Sequence, residues 1–164
     1  MNIVMKMNDE IVNVAGYVKL AKLWEKSRDR IVAYHKKYYE DKYGGLPDVN
    51  LVDVYIDITG QKSIRKRPEM IRLLSDCKAG KIDIISTQTR AYLAANSGEF
   101  CYLIYYVFNL SNTVHIVSED DNYRIDTIAN IEHQREALLK MAEDYIKLAP
   151  IDYQDWMRDI EREF

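Results

Sequence analysis

Three short stretches combine cations or hydroxyls with chain-turning residues: Lys19 with Ala21, Arg65-Lys66-Arg67 beside Pro68, and Thr87-Gln88-Thr89-Arg90. Arginine presents a planar fork of donors and keeps its charge at neutral pH, so convergent arginines suit an anionic ligand, a phosphate above all. The competing reading of the same charges is a solvated surface, where isolated ions contribute little. The choice depends on whether the surrounding elements bring these stretches together.

Those elements alternate. The β-branched run Ile11, Val12, Val14, Ala15, Tyr17, Val18, Leu20 predicts a first buried strand. Lys22 to Tyr43, free of Gly and Pro, then predicts a helix with Leu23, Lys26 or Ser27, Ile31, Tyr34 and Tyr38 on one face, stopped by Gly44-Gly45-Leu46-Pro47. A second strand is expected at Leu51–Ile56, a surface loop from Asp57 to Lys66, and a helix opening at Pro68 and closing at Gly80. Ile82–Thr87 predicts a third strand, Gly98–Asn109 an apolar helix and Thr113–Val117 a fourth strand.

This alternation predicts an α/β fold: a three-layer sandwich with a mostly parallel central sheet of about four or five strands, occupying residues 1–126. Ligands of such sheets lie beyond the carboxyl ends of the strands, here Leu20-Ala21, Asp57-Ile58-Thr59 and Thr87 to Arg90. No GxGxxG or P-loop follows any strand, which argues against a dinucleotide or NTP, and no cofactor is expected. After Thr127 a charged helical stretch carries Ile128, Ile131, Leu138, Met141, Tyr145 and Leu148; Pro150 interrupts it, and a short final helix follows with Tyr153, Trp156, Met157 and Ile160. Residues 127–164 therefore read as a long C-terminal helical extension whose stripe must be buried, against a partner subunit or against its own domain.

Composition narrows the function classes. The 164 residues are 48% hydrophobic and 30% charged, with 6 Gly and 3 Pro, which excludes collagenous and broadly disordered chains. A net charge of -3 leaves no global basic footprint, so nucleic-acid contact would have to come from local patches such as Lys62 to Arg67. Cys77 and Cys101 lack metal-ligand spacing, and no metal site is expected. Met1–Met7 does not read as a secretory signal and no apolar run reaches membrane-spanning length, so the expectation is a cytoplasmic protein without a membrane partner. His35, His115 and His133 fall on separate elements, and the tyrosines around Tyr34–Tyr39 and Tyr102–Tyr106 have the helical spacing of packing residues rather than of base-stacking ones.

The ordered set of segments resembles the catalytic domain of the serine recombinases, the resolvase/invertase family, over roughly Val14 to Leu148. The resemblance rests on Tyr17-Val18-Lys19-Leu20-Ala21, on Asp57-Ile58-Thr59-Gly60 with Arg67-Pro68, and on the strand running from Ile82 to Thr89-Arg90. It implies site-specific DNA recombination: a serine at the end of the first strand attacks a phosphodiester while arginines stabilise the charged phosphorus centre. By the same resemblance, Arg67 and Arg90 match phosphate-binding arginines, with Arg65 and Lys66 beside them. The helix after Thr127 is placed as a dimerisation helix, with Ile128, Ile131, Leu138, Met141 and Tyr145 as its contact residues.

The sequence departs from the family at the decisive position. Ala21 stands where the nucleophile belongs, Lys19 replaces an arginine, Thr89 replaces an acidic residue, and no second arginine follows Arg90 within Ala91–Asn96. A methyl group cannot attack phosphorus, so the expected protein is a catalytically inactive, dimerising or regulatory homologue, alone or paired with a related recombinase. The 14 residues after Pro150 are acidic, so DNA binding by this chain alone is expected to be weak. Two alternatives stand beside this reading: a nicking or strand-exchange enzyme using another hydroxyl, from Tyr17, Ser27, Thr59 or Ser63, and an unrelated α/β domain binding a small anion.

Overall fold

Residues alternating in side-chain direction along a strand bury both faces of a sheet only when each face is covered. The computed structural model, which describes residues 10–164, shows this for four parallel strands: β1 (Val12–Leu20), β2 (Val49–Ile58), β3 (Ile84–Thr87) and β4 (His115–Ser118), in the order β2-β1-β3-β4. Val12, Val14 and Val18 of β1 join Val54, Ile56, Ile84 and Val117 in one core, whereas Ala15 and Tyr17 join Tyr55, Ile85 and Ile116 in the other. Pairing is parallel throughout, with one register shift opposite Val14 and Ala15.

Helix α1 (Arg28–Tyr43) covers the first face alone through Tyr39 and Tyr43. Helices α2 (Pro68–Lys78) and α3 (Ser97–Phe108) cover the second, and α4 (Gln134–Leu148) and α5 (Pro150–Arg162) add a further layer against α3. Ala142, Ile146, Tyr153, Trp156 and Ile160 belong to the same core as α2 and α3.

Several boundaries follow local chemistry. Pro68 opens α2, and Gly80 takes the left-handed conformation, φ +78°, just past its end. Residues 22–43 are not one helix: a 3₁₀ turn, Lys22–Ser27, precedes α1, and Leu23 and Trp24 are exposed. The helix after Thr127 begins only at Gln134, because Asn130, Glu132 and His133 adopt left-handed conformations that break it. Its buried stripe is Ala142 and Ile146, flanked by half-buried Leu138 and Leu139, rather than the Met141, Tyr145 and Leu148 row read from spacing. No helix among the described residues is long and apolar enough to cross a membrane, and the Met1–Met7 segment lies outside the described residues.

Candidate functional site

In a doubly wound sheet the ligand crevice opens where the strand order reverses, which here is between β1 and β3. Lys19, Leu20 and Ala21 leave β1 at that point and Thr87–Arg90 leave β3. The Thr87 hydroxyl donates to the Tyr17 carbonyl at 2.9 Å and ties the two strand ends together. Ala21 is exposed and starts the 3₁₀ turn, with its carbonyl accepting from the Trp24 amide at 3.0 Å. No hydroxyl replaces it at that position.

Asp57, paired in register with Lys19, organises the buried side of the crevice. Its carboxylate accepts from the Tyr17 hydroxyl at 2.8 Å and from the Glu69 and Met70 amides at 2.9 Å each. It thereby satisfies the open N-terminus of α2, where Arg67 in the capping position makes no side-chain cap bond. Burial, then the Asp57 charge, pushes the Tyr17 hydroxyl well above the usual tyrosine range, so Tyr17 is a fixed donor and no nucleophile. Lys19 is half-buried, and burial followed by the Arg67 charge lowers its pKa from the ordinary lysine value, against the pull of Asp57.

The other four cations singled out in the sequence divide. Arg67 is only 1% exposed: Nη1 donates to the carbonyls of Tyr92 at 2.8 Å and Leu93 at 3.3 Å, and Nη2 to that of Lys62 at 3.0 Å. Its guanidinium pins the Lys62–Lys66 loop to the segment after β3. Arg90 donates to the Tyr123 carbonyl at 3.0 Å and lies 4.7 Å from the centre of the Phe100 ring. It lines a cavity of about 370 Å³ with Ala94, Asn96, Ser97 and Met141, which brings it beside a residue read from the sequence as an interface contact. Arg65 is exposed and paired with Asp159 of α5 at 2.9 Å, and Lys66 is exposed. Arg67 and Arg90 share no partner.

The remaining hydroxyls are likewise placed. Thr59 accepts from the Gln61 amide at 3.1 Å. Ser27 and Ser63 occupy helix-capping positions without a side-chain cap bond. Of the proposed contact residues on the C-terminal helix, Ile131, Met141 and Tyr145 are exposed, whereas Leu138 and Ile128 are half-buried against their own domain. Tyr145 also stacks edge-on to Tyr102 of α3. His35, His115 and His133 do not meet: His35 is buried in α1, His115 bonds Thr127 at 2.9 Å, and His133 lies before α4.

Two carboxylates with large structural roles escaped sequence reasoning. Asp120, just beyond β4, accepts from the Thr89 hydroxyl at 2.7 Å and the Arg90 amide at 2.8 Å. Burial raises its pKa, but these bonds outweigh it and hold the group below the usual aspartate value. Its place just past the carboxyl end of β4 is the signal that marks it, as the end of β3 marks Thr89 and Arg90. Glu99 accepts from the Ile64 amide at 3.2 Å and from the Trp156 indole at 2.9 Å, joining three elements. The signal for it was the Asn96-x-x-Glu99 spacing of a helix start, where Asn96 caps the Glu99 amide at 2.9 Å.

The sheet order, the switch point and the crossover helices define a doubly wound α/β sandwich of the kind used to hold phosphate-bearing ligands. Among solved structures, the N-terminal catalytic domain of TP901-1 integrase is similar at TM-score 0.53 and 17% identity, covering 83% of this chain and 95% of that one. The C-terminal catalytic domain of ISC1926 TnpA, an IS607-like serine recombinase, is similar at TM-score 0.51 and 14% identity, covering 83% of this chain and 99% of that one. The chain therefore has the serine recombinase catalytic-domain fold. No protein-family model matches the sequence, and no curated protein matches it.

Proposed function

We propose that this chain is a recombinase-type domain that contacts DNA but does not cleave it, and that it acts as a dimerising or regulatory homologue of a recombinase. The observation that carries the reading is Ala21 at the exposed end of β1 within an otherwise complete fold. Formation of a phosphoserine link requires an oxygen nucleophile at that point, and the buried Tyr17 hydroxyl of the same strand is committed to Asp57. Phosphate contact falls to the exposed Arg65 and Lys66, while Arg67 and Arg90 order the loops beneath them. Self-association falls to Ile131, Met141 and Tyr145, the exposed members of the C-terminal stripe.

The test is incubation of the full chain with supercoiled DNA followed by denaturation. The expected result is neither a covalent protein–DNA adduct nor nicked circles. An adduct abolished by Ser27→Ala or Thr59→Ala would overturn the reading in favour of a strand-cleaving enzyme with a different nucleophile. Sedimentation at micromolar concentration should show a dimer, and a strict monomer would remove the dimerising half of the proposal.

A further inference from the structure

The 3₁₀ turn after Ala21 leaves a second cavity unaccounted for. Trp24, Ser27, Arg30, Ile31 and Tyr34 line a groove of about 340 Å³ between that turn and α1. Two aromatic rings stand open there, Trp24 at 42% and Tyr34 at 61% exposure, although tyrosines of the same helix, Tyr39 and Tyr43, are fully buried. The polar lining is equally unspent. Arg28 is held by Glu25 at 2.6 and 2.7 Å, but Arg30 has no ion pair among the described residues, and the Ser27 hydroxyl makes no cap bond.

The geometry points to this groove as a binding site for an unpaired nucleotide of single-stranded DNA, with the base on Trp24 and Tyr34 and the phosphate on Arg30. An aromatic floor offers every base a stacking surface, and a free guanidinium offers a phosphate a bidentate partner. Trp, Tyr and Arg also anchor protein partners, so the surrounding charge decides between the two occupants. Residues 22–41 carry six cations, Lys22, Lys26, Arg28, Arg30, Lys36 and Lys37, against the four carboxylates Glu25, Asp29, Glu40 and Asp41, an excess of positive charge in a chain whose net charge is -3. Arg30 is the cation that lines the groove itself, and the basic excess of the segment around it complements a polyanion. The site goes beyond the reading above, because it requires neither strand cleavage nor the Arg65–Lys66 loop.

The chain contains its own probe. Of its two tryptophans Trp156 is 1% exposed, so added ligand reaches only Trp24. Titration with a short oligothymidylate at low salt should quench Trp24 emission saturably. An equal phosphate concentration supplied as a blunt duplex or as inorganic phosphate should quench it far less. Measured by anisotropy of a labelled oligothymidylate, Tyr34→Ala and Arg30→Ala should each weaken binding by about fivefold or more, while Lys81→Ala, an exposed cation before the amino end of β3, leaves it nearly unchanged. Circular dichroism of each variant establishes that it is folded. The proposal is overturned if oligothymidylate leaves Trp24 unquenched, if duplex competes equally, or if Lys81→Ala weakens binding as much as Arg30→Ala. It is also overturned if Trp24 emission changes with protein concentration alone alongside a sedimentation shift, which would assign the groove to a second copy.

Discussion

The two faces of the sheet are covered by the same residue types and finished differently. On the α1 side a single helix lays Tyr39 and Tyr43 on the strands, with the Tyr39 hydroxyl donating to the Ser86 carbonyl at 3.2 Å and the Tyr43 hydroxyl 2.8 Å from the Ser86 hydroxyl. Beyond that contact the helix runs out to open aromatics. On the α2–α3 side, α4 and α5 form a further layer in which Trp156 packs with Tyr102, Tyr106 and Tyr153 at ring separations of 5.7–6.1 Å. A tyrosine-rich segment is thus filler where a second layer covers it and surface where none does. The thin face leaves its aromatics open, and the room that remains on the layered face is the Arg90 cavity between α3 and α4.

Exchanging large side chains for small ones on each face tests this contrast most severely. Trp156→Ala removes a buried indole and its bond to Glu99, and should cost about 3–5 kcal/mol in urea unfolding, whereas Tyr34→Ala should stay within about 0.5 kcal/mol. Equal losses would erase the distinction between the faces.

An intermediate effect is expected on the thin side, where Gly16 allows the Tyr39 ring to lie against β1. A Cβ at Gly16 would stand 2.9 Å from that ring, so Gly16→Ala should destabilise by about 1–3 kcal/mol. Thermodynamic coupling to Tyr39→Leu, read from a double-mutant cycle, would locate the cost in that contact; independent effects would place it elsewhere.

The smallest effect lies at the seam between α5 and the second face. Glu161 accepts from Lys78 at 2.5 Å and from Tyr106 at 2.9 Å, and the Lys78 bond above all holds its carboxyl below the ordinary glutamate value. A carboxyl lowered by folding stabilises the native state above its unfolded pKa and loses that contribution as pH falls through its folded one. Glu161→Gln should therefore cost under about 1 kcal/mol at pH 7, and the difference from the parent should vanish in acid below the glutamate range. A difference that persists at low pH would mean that the side chain acts through packing instead.

The alternation of strands and helices was legible because each depends on nearby residues: Pro68 at a helix start, Gly80 past a helix end, and β-branched runs between them. Residues 22–43 misled because uninterrupted polarity with regular apolar spacing does not report a 3₁₀ turn at Ser27. The face that α4 lays on its own domain was not legible, because Ala142 is small and Ile146 stands out less in the sequence than the larger Met141 and Tyr145, which the fold leaves exposed. Arg67 is the most instructive case at the site. Its type and its place before a proline were visible, but its partners are main-chain carbonyls, two of them some 25 residues downstream, and backbone acceptors leave no mark in side-chain patterns. Asp57 was legible as a strand-end acid, but not as the group that closes the α2 terminus.

The placement of β1 between β2 and β3 also bears on how the chain is made. Val14 faces Leu51 on one edge and Ile84 on the other, so during synthesis β1 waits for about seventy more residues before both its edges are paired. Until β3 emerges, a valine-rich ribbon has an open side, and translation through residues 60–87 is the interval in which a nascent-chain chaperone would have most to shield.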